Sequence, residues 1–230
     1  MAAQDTRSTH PGRAEPASPA VLGRLLVLTD RAQSQAAGRP LVDTVAAAAG
    51  AGAPLVLFRE KDLGDADRHA LAREVADALA GTGADLVVAS DVELAAELNA
   101  WGVHFAARDP LPAPTTTGVL LPSGRSCHSP ADVATAVATG ASWVTLSPVF
   151  PTASKPGYGP PLGTAALDGH AVPVFALGGV TSESAAACLE GGAHGLAVMG
   201  AVMRAPHPAA AVRELLDRIA TAAPAHPGTP

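Results

Sequence analysis

The sequence predicts an α/β fold, a single (β/α)8 TIM barrel, and three observations carry that prediction. Eight short apolar runs recur along the chain, most of them separated by Ala-rich helical stretches of roughly 8–16 residues. The runs are continuously apolar rather than alternating, which means burial on both faces and hence a parallel sheet. The chain has 230 residues, 48% of them hydrophobic and 16% charged. A barrel of this kind runs from about 200 residues upward and needs a large core. Eight units favour closure over an open doubly wound sheet. No Gly-x-Gly-x-x-Gly follows the first run, which weakens the dinucleotide-binding alternative.

Each element has its own signal. Leu25–Asp30 reads as the first strand and Leu41–Ala51 as a helix. Pro54–Arg59 is a strand, then Asp65–Ala80 a helix with Asp65 as its expected N-cap. Leu86–Ser90 is a strand and Val92–Ala100 a helix, followed by short strands at Gly102–Phe105 and Thr117–Leu121. Ser129 with Pro130 behind it opens the next helix, a hydroxyl cap followed by a proline in the first turn. Trp143–Ser147, Val172–Leu177 and Gly195–Met199 are the last three strands, with helices at Ser182–Gly191 and His207–Ala220. Aromatic residues are only 3% of the chain, so Ala, Val and Leu must fill the core.

The barrel is expected to occupy residues 22–220, between a disordered tail at 1–21 and a loose Pro/Ala-rich end at 221–230. The first 20 residues lack the apolar core of a signal peptide, and no run reaches the roughly 18 residues of a membrane helix. Cys127 and Cys188 lack metal-ligand spacing and suggest a reducing compartment. A cytoplasmic protein with no membrane partner is therefore expected. The net charge of −6, without a basic stripe, argues against a general nucleic-acid binder. Any anion site must be a local cluster.

In such a barrel the chemistry sits where strands end and loops begin. Polar residues gather there: Thr29-Asp30-Arg31, Arg59-Glu60-Lys61, Ser90-Asp91, His104, Arg108-Asp109 and Arg125–Ser129. The segment Pro148–Gly163 adds Thr152, Ser154 and Lys155, then glycines and prolines suited to a loop that closes over a ligand and reopens. A lone strand-end Asp is usually a helix cap, and His104 between Val103 and Phe105 reads as a hydrogen-bonded core histidine. The set outweighs its members. Arg59, Lys61 and Lys155 at one mouth suit phosphate oxygens. Asp91 and Asp109 can share one Mg²⁺, a metal that favours carboxylates together with phosphate oxygens. Gly178-Gly179 and Met199-Gly200 match the phosphate site that barrels build from their last two loops. Two anion sites in one mouth imply two phosphorylated small-molecule substrates, or one substrate and a vestigial site.

These residues resemble the thiamine-phosphate synthase / thiazole tautomerase (TenI-like) superfamily. The resemblance spans nearly all of 25–218. It is carried by Leu-Thr-Asp-Arg (28–31), Phe-Arg-Glu-Lys (58–61), Gly-Val-His (102–104), Ser-Cys-His-Ser (126–129), Pro-Val-Phe-Pro-Thr-Ala-Ser-Lys (148–155), Ala-Leu-Gly-Gly-Val (176–180) and Gly-Leu-Ala-Val-Met (195–199). It implies a transferase of thiamine biosynthesis. A hydroxymethylpyrimidine pyrophosphate loses pyrophosphate, and a thiazole phosphate captures the resulting cation, giving thiamine phosphate. On that resemblance Arg59, Lys61 and Lys155 hold the pyrophosphate, Asp91 and Asp109 hold Mg²⁺, and Ser126 lines the reacting centre. Thr152, Ser154, Gly178, Gly179, Met199 and Gly200 take the thiazole phosphate. Barrels of this kind often self-associate, so a homo-oligomer is compatible with the sequence.

The chain departs from the synthase pattern at several positions. Leu57 stands for glutamine and Ser90 for asparagine on the pyrimidine-pyrophosphate side, Ala106-Ala107 for Gly-Gln, and Gly200 for serine. A buried site that loses a hydrogen-bonding partner typically loses about 1–3 kcal/mol. Two alternatives therefore stay open. One is a tautomerase that aromatises a thiazole carboxylate phosphate with His128 as acid/base, the side chain whose charge changes nearest neutral pH. The other is a non-catalytic paralogue that binds a thiazole or thiamine phosphate. Against the tautomerase stand the cations and the aspartate pair, for which a monophosphate site has no use.

Overall fold

The structure is a computed structural model and describes residues 22–110, 121–152 and 159–222. Eight parallel strands close into a barrel in chain order: β1 (Leu25–Leu28), β2 (Leu55–Phe58), β3 (Asp85–Ala89), β4 (Gly102–Phe105), β5 (Ser123–Cys127), β6 (Trp143–Leu146), β7 (Val174–Ala176) and β8 (Gly195–Val198). β8 returns to β1 with Val27 beside Val198. The predicted fold class stands.

The helices are α1 (Arg31–Ala36), α2 (Leu41–Gly50), α3 (Asp65–Leu79), α4 (Val92–Glu97), α5 (Pro130–Ala138), α6 (Ala185–Glu190), α7 (Gly200–Met203) and α8 (Pro208–Thr221), with a 3₁₀ turn at Thr164–Leu167. Among the described residues no helix is long and apolar enough to cross a membrane.

The strands β1, β2, β4, β6, β7 and β8 are buried along their whole length and β3 at its three central residues, which is why these strands read as apolar runs. Leu26, Leu28, Leu55, Leu57, Val87, Trp143, Phe175 and Ala197 form one buried cluster. Leu25, Val27, Val56, Phe58 and Val88, which alternate with them, pack in a second cluster with residues of α2, α3 and α4 such as Val45, Val75 and Leu94. Each buried large aliphatic side chain contributes about 1.5–3 kcal/mol relative to exposure. The register sets the height of side chains at the mouth. It pairs Leu28 with Leu57, Ala89 with His104 and Ser126 with Thr145.

Three expectations need correction. The fifth strand is Ser123–Cys127, later than the expected Thr117–Leu121, most of which lies outside the described residues. Its Ser-Gly-Arg-Ser-Cys sequence carries no β-branched run. Gly124 instead makes room for the buried Trp143 ring, which a Cβ at that position would strike. Asp65 is not the N-cap of α3. Gly64 holds that place, and the Asp65 carboxylate pairs with Arg68 at 3.2 Å. The helices α1 and α7 were not foreseen, being too short to carry a periodic signal. Ser129 does cap α5, accepting the Asp132 N–H at 3.1 Å. Residues 1–21 lie outside the description, and α8 runs to Thr221, the first residue of the expected loose end.

Candidate functional site

The C-terminal ends of the strands surround a cleft of about 450 Å³. Leu28, Leu57, Ala89 and Ala197 form its apolar surface, and Arg59, Lys61, Ser126, His128, Thr152, Gly178, Gly179, Met199 and Gly200 also line it. A second pocket of about 280 Å³ shares Lys61 and Ala89 with the first and holds Ser90, Asp91 and Asp109. Ser154 and Lys155 fall outside the described residues.

The β2 end is pinned from behind. Thr29, fully buried, accepts the Arg59 backbone N–H through its hydroxyl at 2.8 Å. Glu60, 4% exposed, borders the second pocket rather than the main cleft, and its carboxylate accepts the Arg31 backbone N–H at 3.1 and 3.2 Å. Burial pushes its carboxyl up, against the hydrogen bonds from Thr29 and Arg31. Glu60 is therefore a structural fastener. Arg59 and Lys61, on either side of it, are the residues the cleft receives.

The two aspartates are held firmly. Asp91 caps α4, its Oδ1 accepting the Leu94 N–H at 2.9 Å, while Oδ2 meets the Arg68 guanidinium at 2.9 Å and His69 at 3.5 Å. Burial would raise its carboxyl, but the Leu94 hydrogen bond and the Arg68 guanidinium draw it below the usual carboxylate range. Asp109 accepts the Ser90 hydroxyl at 2.5 Å and the Ala106 N–H at 2.7 Å, both on Oδ2. Arg125 reaches into the same turn, donating to the carbonyls of Ala106, Ala107, Asp109 and Pro110 at 3.0–3.3 Å. Ser90 adopts φ +60°, a left-handed conformation uncommon for serine. Its place is in the aspartate pocket, not in the main cleft.

A carboxylate offers about four lone-pair sites, and Asp91 and Asp109 each use only some of them. Asp91 and Asp109 are hard oxygen donors in a pocket that Glu60 also borders, and they fit a Mg²⁺ that takes its remaining ligands from phosphate and water. Among the described residues no group of three or more His, Cys, Asp or Glu side chains is placed to hold a metal.

The floor and far wall carry few charged side chains, Arg204 being the exception. His104, 5% exposed, faces the Thr145 hydroxyl through Nε2 at 3.2 Å and packs on the Trp143 ring at 4.8 Å between centroids. Burial, with Lys61 and Arg59 nearby, lowers its pKa to about 3, so it is neutral. The core reading of His104 stands, although the residue also touches the cleft. His128 packs against the carbonyl of Ser147 through Nδ1 at 2.9 Å. A carbonyl oxygen only accepts, so Nδ1 carries a proton and Nε2 is the basic atom of the neutral ring. Gly178 and Gly179 have φ of +91° and +67°. A Cβ on Gly178 would lie 2.8 Å from Pro148 Cα, and one on Gly179 would strike the Pro151 carbonyl. Backbone alone fits there. Cys127 and Cys188 are free and buried, their thiols pushed up to about 12 and about 11 by burial.

Ser147, Thr181 and Arg204 are among the lining residues not singled out from sequence. Ser147 is the last residue of the expected sixth strand and Thr181 lies four residues past the expected end of the seventh, and each offered only a hydroxyl. Arg204 follows α7, the helix the sequence pattern hid.

Residues 25–202 match the family model described as thiamine monophosphate synthase. The chain is 38% identical over 200 residues to a putative thiamine-phosphate synthase of Geobacter sulfurreducens, covering 84% of this chain and 92% of that one. It is 36% identical over 208 residues to a thiamine-phosphate synthase of Roseiflexus sp., covering 87% and 86%. The thiamine phosphate pyrophosphorylase from Pyrococcus furiosus superposes with a TM-score of 0.73 at 25% identity, covering 86% of this chain and 95% of that one. A 3-hexulose-6-phosphate synthase, at TM-score 0.63 and 18% identity, shares the fold alone. The chain belongs to the thiamine monophosphate synthase family.

Proposed function

We propose that this member of the thiamine monophosphate synthase family is a transferase. It joins a hydroxymethylpyrimidine pyrophosphate to a thiazole phosphate, giving thiamine phosphate and pyrophosphate. The observation that carries the reading is one cleft lined by Arg59 and Lys61 on one side and by Gly178, Gly179 and Gly200 on the other. A single-phosphate reaction would need only the second side.

Arg59 and Lys61, with Lys155 by its place in the motif, hold the pyrophosphate. The bond from the pyrimidine methylene carbon to the pyrophosphate oxygen breaks, and the oxygen keeps the electron pair. The thiazole nitrogen lone pair then forms the new carbon–nitrogen bond. No proton leaves, so the chemistry depends on charge stabilisation and positioning more than on a general base. Asp91 and Asp109 would hold Mg²⁺, whose charge, when bound, offsets the negative charge growing on the leaving group. Gly178, Gly179, Met199 and Gly200 present backbone to the thiazole phosphate, and Thr152 with Ser154 adds hydroxyls. Ser126 lines the reacting centre. Leu28, Leu57 and Ala89 give the cleft an apolar surface that shields a reactive cation from water. Ser90 acts through Asp109, to which it donates.

A tautomerase reading draws on one observation, the His128 ring held by Ser147 so that Nε2 is its acceptor. One experiment separates the two. Purified protein, Mg²⁺ and both phosphorylated substrates should yield thiamine phosphate over time. Absence of thiamine phosphate together with aromatisation of a thiazole carboxylate phosphate would overturn the synthase reading.

A further inference from the structure

We propose that Arg204 is a substrate-binding residue, whose guanidinium lies over Gly200 and supplies the positive charge of the thiazole-phosphate site. The inference rests on the synthase reading of the cleft and adds to it a residue outside the motif set.

Gly200 and Arg204 stand one helical turn apart, at the start of α7 and just past its end. Both line the main cleft with Gly178, Gly179 and Thr181. A Cβ built on Gly200 would strike Cζ and both Nη atoms of Arg204. The guanidinium therefore occupies the volume that any side chain at position 200 would take. Gly200 is not one of the left-handed glycines of the chain. Its backbone does not require glycine; a side chain at that position would instead push the Arg204 guanidinium out of its place.

The guanidinium is oriented as well as accommodated. Arg204 Nη1 donates to Oε1 of Gln33. Gln33 is fixed in turn by Asp30, which accepts its Nε2 at 2.6 Å and its backbone N–H at 2.9 Å. A carboxylate accepts only, so the Gln33 amide must turn its nitrogen to Asp30 and its oxygen to Arg204. The planar guanidinium thus sits in a defined plane at the cleft rim. The glycine wall offers only backbone N–H groups and hydroxyls. A guanidinium adds a full charge and a fork that matches phosphate oxygens.

Steady-state kinetics of Arg204→Met, with each substrate varied in turn, test the proposal. KM for the thiazole phosphate should rise about ten- to a hundredfold, the scale of a lost charged hydrogen bond. KM for the pyrimidine pyrophosphate and kcat at saturation should stay near wild type. The dephosphorylated thiazole alcohol, used as acceptor, should lose nothing to the substitution. Gly200→Ala should raise the same KM by displacing the guanidinium, and adding it to Arg204→Met should bring no further loss. An unchanged KM for the thiazole phosphate, an equal rise for both substrates, or additive single effects would each overturn the role. Calorimetric binding of thiazole phosphate to wild type and Arg204→Met reads the same contact without turnover. A wild type that binds thiazole phosphate but makes no thiamine phosphate would refute the synthase reading alone. Equal affinity of the two proteins would refute the role of Arg204.

Discussion

On the β2–β4 side of the mouth the walls are charged side chains that already answer one another. Asp91 is matched by Arg68 and by a helix N–H, and Asp109 by Ser90 and the Ala106 N–H. On the β7–β8 side the wall is backbone, bent through left-handed glycines and packed against Pro148, Phe150 and Pro151. The first wall selects by charge and tolerates changes of shape; the second selects by shape and has little charge to lose. An isosteric substitution that removes a charge should therefore cripple one wall, and an added methyl the other. Arg204 is the point where the backbone wall acquires a cation.

The largest effect should come from adding that methyl. Gly179→Ala forces a Cβ into the Pro151 carbonyl and the Phe150 side chain at φ +67°. Backbone cannot yield as a flexible side chain does, so the fold should lose about 2–4 kcal/mol from strain and overpacking. Thiazole-phosphate binding should vanish by calorimetry while the pyrimidine pyrophosphate still binds. A variant that retains wild-type stability and affinity would show that the glycine wall is not the shape-reading side.

Next is the matched change on the other wall. Asp91→Asn keeps the shape and the helix cap, since asparagine caps as well as aspartate. It removes the charge. Synthesis should fall on the order of 10²-fold, the scale of losing one preorganised electrostatic contact, while thiazole-phosphate affinity holds and thermal stability drops only slightly with the loss of the Arg68 ion pair. Unchanged synthesis would take Asp91 out of the metal site.

The barrel was legible because seven of its strands are largely buried and so leave apolar runs, whereas β5 leaves none. The charged wall was legible for a related reason. Arg59, Lys61, Asp91 and Asp109 interrupt or follow those runs with residue types that are costly to place there without a partner. What stayed hidden were features without a periodic or compositional mark. Ser-Gly-Arg-Ser-Cys is a strand because Trp143 packs on Gly124 and Arg125 ties the neighbouring turn, contacts made between adjacent strands rather than along the chain. The partner of the Ser90 hydroxyl is Asp109, beyond the end of the neighbouring strand β4 and not marked by the chain order. Arg204 was invisible because a four-residue helix has too few turns to show a face.

Arg125 offers the finest test of the comparison, because it touches neither substrate wall directly. Its guanidinium donates to four carbonyls of the 106–110 turn and lies 5.8 Å from the Phe105 ring centroid. That turn carries Asp109, so Arg125 acts as a positioning residue for one carboxylate of the charged wall. Arg125→Met keeps much of the apolar stem and removes all four donors. The Mg²⁺ concentration for half-maximal synthesis should rise about tenfold or more, as when the partner of a metal ligand is removed. KM for the thiazole phosphate should not move, because the glycine wall lies across the cleft. Arg125→Lys should recover only part of the loss, since an ammonium cannot span four carbonyls as a planar fork does. If both walls weaken together, the turn and the glycine wall are mechanically coupled and the division between charge and shape fails. If only the Mg²⁺ dependence moves, the two walls are separable down to a residue that reaches the site through a single turn.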